Sequence, residues 1–305
     1  MKILLAEYAM GTGMGGTFLL EGRSMLKTLV SSFARLGHEV TYLTSGPLLP
    51  EGNAIIANEE NFRKIIEEEA KKSDAGLVIG PDEILAELTS CIEDNTLNLG
   101  STPEAIDLCA DKVKCTKELL RNNIAAPRIL EDTHGIECVV KPRFGCASED
   151  TYLTTNTEIP PGSIATEFIK GEHLSVSLIA GERTLPLCVN KQLIEFMDIK
   201  DPAGLRVEYK GNTVFFSPPY KEELFRTAVA ASRILGCRGY TGVDIVYDGT
   251  PYIVDVNPRP TTSIYGICKV MDVEIADLLL KNRLGGLPGS VGIAAECSFT
   301  KEDFK

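Results

Sequence analysis

The segment Gly242-Val243-Asp244-Ile245-Val246-Tyr247-Asp248-Gly249-Thr250-Pro251-Tyr252-Ile253-Val254-Asp255-Val256-Asn257-Pro258-Arg259 carries residues able to hold a metal ion against a phosphate. Gly249-Thr250 reads as a two-residue hairpin loop between two strands. Counting outward from it, Asp248 faces Pro251 and Asp244 faces Asp255, so the two carboxylates become cross-strand neighbours. Their β-carbons would lie about 5 Å apart, and like charges so placed destabilise a sheet unless a cation sits between them. Side chains alternate along a strand, which puts Asn257 and Arg259 on the face of Asp255. Oxygen ligands without histidine or thiolate suit magnesium, or manganese in its place, bridging substrate phosphates. The bland alternative is a solvated edge hairpin. Apolar Val243, Ile245, Val254 and Val256 at the alternate positions argue against it, because they imply that the opposite face is buried.

Three weaker signals accompany the hairpin. In Val139-Val140-Lys141-Pro142-Arg143-Phe144-Gly145-Cys146-Ala147-Ser148 a lysine ends an apolar strand, and a loop of glycine, small residues and serine follows. Such a loop can close its backbone amides over a phosphate that the lysine neutralises; taken alone, a surface loop is the better reading. Asp111-Lys112 lies inside a helix that runs on to Leu120 and would pass for an ordinary exposed pair. In Ala165-Thr166-Glu167-Phe168-Ile169-Lys170-Gly171-Glu172-His173 an apolar strand meets a charged turn. A further motif, Gly11-Thr12-Gly13-Met14-Gly15-Gly16, satisfies the GxGxxG pattern of dinucleotide-binding folds. The second strand then lacks the acidic residue at its end that would hold a ribose, since it closes Leu43-Thr44-Ser45. A glycine-rich loop bordering a substrate pocket is the preferred reading, and no nicotinamide cofactor is expected.

These groups need a scaffold to bring them together. Residues 1 to about 104 alternate apolar strands (Ile3 to Tyr8, Val40 to Thr44, Gly76 to Gly80) with amphipathic helices, the pattern of parallel βα units. Helices are expected from Leu19 to Leu36, Glu59 to Lys72 and Asp82 to Glu93, and a further one opens at Pro103 behind a Thr102 cap. From Cys138 onward strands are joined by tight turns, with candidates at Gly181-Glu182, Gly211-Asn212 and Gly249-Thr250, and helices run from Lys221 to Leu235 and Val273 to Arg283.

Composition narrows the function classes. A chain of 305 residues that is 44% hydrophobic can bury a substantial core. Its formal charge of −12 and the absence of a basic run set nucleic acid aside. The nine cysteines are scattered without Cys-x-x-Cys spacing, so neither disulfides nor a zinc site is expected, and a reducing cytoplasm is the simplest compartment. Glu7 interrupts the opening apolar run too early for a signal peptide, and no later run is long enough for a membrane span.

The signals in this order and spacing resemble the ATP-grasp superfamily from about Ser101 to Leu284, and the first 104 residues resemble the βα domain that precedes the grasp. The resemblance implies an N-terminal α/β domain over 1–104 and a two-lobed α+β grasp with antiparallel sheets, its small lobe over 105–170 and its large lobe over 171–305. It implies that Lys112 and Lys141 hold the α- and β-phosphates of ATP, with Gly145 to Ser148 as the lid loop. Glu167 would accept from the adenine amino group, and the backbone of Phe168 and Ile169 would fix the ring. Asp244, Asp255 and Asn257 would coordinate Mg2+, Arg259 would stabilise charge on the transferred phosphoryl group, and Lys191 would reach the γ-phosphate. Many members bind the ribose through a glutamate two residues after the hinge glycine. Here that position is His173, beside Glu172, and strand alternation allows only one of them to face the nucleotide. The lid also has Ala147 and Asp150 where glycines are common. Within the superfamily, Ala6-Glu7-Tyr8-Ala9, the sparse lid and Pro186-Leu187-Cys188-Val189-Asn190-Lys191-Gln192 are similar to archaeal tyramine-glutamate ligases of methanofuran biosynthesis. The implied reaction joins a small carboxylate, glutamate first, to an amine through an acyl phosphate in a protein that could be a homodimer. The rivals are carboxylase or carbamoyl chemistry on the same fold and an ATP-binding regulatory protein without turnover.

Overall fold

The structure is a computed structural model and describes residues 1–145, 150–155, 158–200 and 203–304. Ile3 to Ala6 and Ala75 to Ile79 are buried on both strand faces, as the centre of a parallel sheet requires. The first unit runs β1 (Lys2–Glu7), α1 (Tyr8–Thr12), α2 (Gly16–Arg35), β2 (Glu39–Thr44), β3 (Asn53–Ile56), α3 (Phe62–Ala70), β4 (Ala75–Ile79), α4 (Asp82–Glu93) and β5 (Leu97–Asn98). Its strands form a parallel sheet in the order β3-β2-β1-β4-β5. Alternate residues of β1 enter different cores. Ile3 and Leu5 pack with Leu26, Val30 and Phe33 of α2, whereas Leu4 and Ala6 pack with Phe62 and Ile66 of α3 and with Leu85 and Leu88 of α4. The direction of strand addition reverses between β1 and β4, so a crevice opens at the carboxyl ends of those two strands.

The remaining elements are α5 (Pro103–Ala110), α6 (Lys112–Arg121), β6 (Ile129–Leu130), β7 (Cys138–Pro142), β8 (Tyr152–Thr154), β9 (Ser163–Glu167), β10 (Glu172–Ala180), β11 (Leu185–Lys200), β12 (Ala203–Phe216), α7 (Lys221–Ile234), β13 (Gly239–Tyr247), β14 (Pro251–Asn257), α8 (Ser263–Val270), α9 (Ile275–Leu284) and β15 (Cys297–Thr300). Among the described residues the strands make one curled antiparallel sheet in the order β14-β13-β10-β11-β12-β8-β7-β9-β6, with β15 added on β12. One face of β10, β13 and β14 is covered by α6 and α7 through Leu119, Leu174, Val176, Leu224, Ala228, Val243, Ile245, Ile253 and Val256. The other face is left for the cleft. A larger core joins α2 to α8, α9 and the start of β11, which fixes the parallel unit against the antiparallel one.

Several expectations change. Tyr8 begins α1 instead of ending the first strand, and β3 had no periodic signal in its four residues. Asp111 is not inside a helix: it leaves the helical region at ψ 93, ends α5 and caps α6 by accepting from Val113 N at 3.1 Å. Gly211-Asn212 is not a turn but lies within β12. Gly211 has φ 155, and a β-carbon there would meet the Phe299 carbonyl oxygen at 2.1 Å, so glycine is what lets β15 approach. The eight described cysteines are free thiols, and no described helix is long and apolar enough to cross a membrane.

Candidate active site

Asp244 and Asp255 are direct cross-strand partners, as counting from the turn requires, although two irregularities cancel to make them so. The loop holds three residues, since Tyr247 pairs with Pro251, and Asp248 Oδ1 closes it by accepting from Thr250 N at 3.1 Å. That register alone would set Asp244 against Val254. Val254 is instead an extra residue on β14, and this β-bulge returns Asp255 to its place. The bulge is in use: Lys141, at the end of β7, donates from Nζ to the Val254 carbonyl at 2.7 Å. Val254 therefore lines the cleft while Ile253 enters the core, the reverse of strict alternation.

Around this hairpin the donors converge. Asn257 Nδ2 lies 3.4 Å from Asp244 Oδ2 and 3.5 Å from Asp255 Oδ2, and Gln192 of β11 donates to Asp244 Oδ1 at 2.9 Å. Burial and the facing Asp255 push the Asp244 carboxyl up to about 7, against the Gln192 hydrogen bond and the charges of Lys141 and Arg259. Burial likewise pulls the Lys141 ammonium below its ordinary value, with Asp255 opposing. Two carboxylates and an amide are too few protein ligands for a self-sufficient site, and no group of three or more His, Cys, Asp or Glu is found among the described residues. A hard cation that shares its shell with phosphate oxygens fits this set.

One end of the cleft is assembled from both units. Lys112 opens α6 and donates from Nζ to the Gly145 carbonyl at 2.6 Å, and its backbone amide donates to the Arg143 carbonyl at 3.1 Å. Arg143 grips Asp111 through Nε at 2.8 Å and Nη2 at 2.6 Å, which holds that carboxyl below its usual range and ties the chain just after β7 to α6. Ser148 lies outside the described residues. From the parallel unit, Asp82 begins α4 with its carboxylate 3.7 Å from both Lys112 Nζ and Arg259 Nη2. Burial raises the Asp82 carboxyl, and Arg259 works against it.

At the other end Phe168, Ile169 and His173 line the cleft, with the His173 ring 6.0 Å from that of Phe196. Glu167 reaches the cleft wall, but its oxygens accept from Arg128 N at 3.1 Å and Nε at 2.7 Å, so its carboxylate is already engaged. Alternation separates the adjacent pair: Glu172 turns to the opposite face, where it accepts from Lys191 at 2.8 Å and from the Tyr220 hydroxyl. Lys191 itself lies over the Phe216 ring on that outer face and is not among the described residues that line the cleft. Its neighbour Gln192 takes the inward position. Gly11 packs beneath Phe62, away from the cleft, and the glycine-rich segment borders it only through Met14.

A family model described as an ATP-grasp domain matches residues 109–263. The chain belongs to the ATP-grasp family. Among its ATP-grasp relatives, a tyramine–L-glutamate ligase of Methanocaldococcus fervens is 31% identical over 299 residues, covering 92% of this chain and 93% of the relative. One of the same name from Methanocaldococcus jannaschii is 30% identical, over 92% of this chain and 88% of its own. A crystal structure described as an ATP-grasp superfamily protein from Archaeoglobus fulgidus superposes with a TM-score of 0.79 at 31% identity, covering 97% of this chain and 91% of that one. ATP binding is thus the family property the cleft must explain.

Sequence reasoning missed Glu7, Asp82 and Gln192. Glu7 ends β1 at the crevice, is 5% exposed, and accepts from Met10 N at 2.8 Å. Burial pushes its carboxyl up to about 7, against the amides of Met10 and Ala9 and the charge of Arg259. It rests on Gly22, where a β-carbon would come within 2.2 Å of its Oε2. The only available sign was position, a carboxylate at the end of a central parallel strand.

Proposed function

We propose that this chain is an ADP-forming carboxylate–amine ligase that activates a carboxylate as its acyl phosphate, with L-glutamate and tyramine the first pair to test. The observation that carries the reading is the convergence of Asp244, Asp255, Asn257, Arg259, Lys141 and Lys112 on one cleft. The names of the two Methanocaldococcus relatives, over nearly their whole length, supply the reaction class.

Each residue has a part. Phe168, Ile169, His173 and Phe196 wrap the adenosine, while Lys112 and Lys141 offset the charge of the phosphates. Asp244, Asp255 and the Asn257 amide oxygen would hold Mg2+, which supplies Lewis-acid charge neutralisation so that a carboxylate can approach the triphosphate. Gln192 orients Asp244 for that task. Arg259, 11% exposed at its side chain and held near Asp82, stands where charge grows on the transferred phosphoryl group and then on the acyl oxygens. Closing the cleft keeps water from the acyl phosphate. The division at residues 104 and 170 is our reading of how these tasks are shared. The parallel sheet, which ends at Asn98, frames the substrate end, and the hairpin of the last part holds the metal.

The test is ADP release by the purified chain with Mg-ATP, screened over carboxylic acids and amines. Release that requires both substrates, with an amide as product, is expected. Release that needs bicarbonate in place of the carboxylic acid, or nucleotide binding with no turnover for any pair, would overturn the reading.

A further inference from the structure

Between the hairpin of β13 and β14 and the wall made by Phe168 and Ile169, the cleft has to hold whatever joins a base to its phosphates. His173 of β10 lines that stretch, is half-buried, and has its ring 6.0 Å from that of Phe196. Its partner on β13 is Val246, two residues from Asp244, so His173 stands one strand repeat, about 7 Å, from the hairpin carboxylates. Burial pulls its imidazole below the ordinary value, so the ring is uncharged at neutral pH. The two carboxylates nearest to it in sequence are committed elsewhere. Glu172 points to the opposite face of β10, where Lys191 at 2.8 Å and the Tyr220 hydroxyl hold it and keep its carboxyl below the usual range. Glu167 is folded back on Arg128: its two oxygens accept from the backbone N and the Nε of that residue, whose carbonyl accepts from Glu167 N at 2.9 Å. The other polar side chains on this stretch among the described residues, Thr166, Ser175 and Gln192, carry no charge.

We propose that the nucleotide's sugar is met here by His173 through uncharged contacts alone, so that the protein takes 2′-deoxyATP and 3′-deoxyATP as well as ATP. The proposal rests on the ligase reading for the direction of the nucleotide along the cleft, and adds which sugars it accepts. A ribose is singled out most strongly by an ionised carboxylate, whose two oxygens accept from both hydroxyls at once. Hydrogen bonds to a charged partner are worth roughly 10- to 150-fold in affinity, whereas a neutral one is worth about 2- to 10-fold. A neutral imidazole has one acceptor nitrogen and so takes one hydroxyl at most. Its ring packs against the sugar equally well when a hydroxyl is missing. Glu172 cannot take over the task. Turning it to the cleft would reverse the pleat of β10, whose register on β11 and β13 keeps Leu174 in the core.

Calorimetry on the full chain with the magnesium complexes of ATP, 2′-deoxyATP and 3′-deoxyATP, and with no acid or amine present, tests the proposal. Each deoxynucleotide should bind within about tenfold of ATP, the most that one neutral hydrogen bond accounts for. His173→Glu places a carboxylate where the sugar passes and should widen the preference for ATP by at least about another tenfold. Glu172→Gln should leave the wild-type ratio unchanged. A wild-type preference for ATP above about tenfold overturns the proposal, as does a smaller gain in His173→Glu or the absence of nucleotide binding. A preference that collapses in Glu172→Gln would assign the sugar to Glu172 and overturn it equally. If His173→Glu does not fold, the wild-type ratio and Glu172→Gln decide by the same readings. Failure of the ligase reading is seen separately, as binding of all three nucleotides at the expected ratios with no ADP release from any acid and amine.

Discussion

Replacing Asp255 with Asn should stabilise the protein without metal and abolish its response to Mg-ATP. In the folded chain the Asp244 carboxyl is pushed from 3.8 to about 7, by burial first and by the facing Asp255 second. That displacement corresponds to roughly 4 kcal/mol between the two protonation states. Because the folded value lies above the unfolded one, the penalty is absent below about pH 4, grows as pH rises, and is complete above about pH 7. The Asp255→Asn change would remove the Coulomb share, the smaller one, so a gain on the order of 1 kcal/mol is expected at pH 8 and less at pH 5.5. In a chain of this size that is about 2 °C in Tm. Thermal unfolding in EDTA at the two pH values reads it directly. Adding Mg-ATP should raise the wild-type Tm by mass action and leave the variant nearly unmoved. A variant that is less stable than wild type at pH 8 in EDTA, or that gains as much from Mg-ATP, would refute the pairing of these carboxylates around a cation.

Other substitutions probe the remaining assignments. Arg259→Met should keep Mg-ATP affinity within a few-fold and slow single-turnover ADP formation by the equivalent of about 3 kcal/mol; an unchanged rate would remove Arg259 from the chemistry. Lys141→Ala should weaken ADP binding more than it lowers Tm, and a lower Tm with an unchanged dissociation constant would mark it as structural through its Val254 contact. Lys191→Met should leave nucleotide affinity and turnover untouched, since its exposed pair with Glu172 is worth no more than about 1 kcal/mol; loss of turnover would show that it reaches the phosphates after all. Gly22→Ala should cost about 1–3 kcal/mol by forcing Glu7 off its cap on Met10, and adding Glu7→Ala should recover much of that loss.

The two-unit plan was legible because parallel strands buried on both faces and hairpin strands leave different apolar patterns. The hairpin pairing was legible through Asp244 and Asp255, yet the count reached it through a loop one residue too short and a strand with no bulge. Ile253, Val254 and Val256 held the clue, since apolar residues at both phases mean that the alternation slips. Lys191 and Gln192 show the opposite limit: adjacent polar residues on a strand face different sides, and only the partner strand decides which faces in. No local pattern gave Asp82 a role, and Glu7 had only its place at the end of the first strand, within a segment that marked the resemblance, to point to one. Their significance comes from residues far along the chain that the fold sets beside them.

The position of Asp82 bears on which anions the protein can attract. Its carboxylate lies at equal distance from Lys112 and Arg259, two cations that serve the phosphates in our reading, and chain connectivity keeps it there. A tethered anion acts at an effective concentration that free sulfate or orthophosphate in the cell does not approach. A simple oxyanion, with one set of contacts to offer, has to displace Asp82 and gains little. Metal-bound triphosphate brings adenine contacts and a cation for the hairpin along with its charge, so it can outcompete the tether where the others fail. The cleft thus screens its visitors before any of them reaches the reacting atoms.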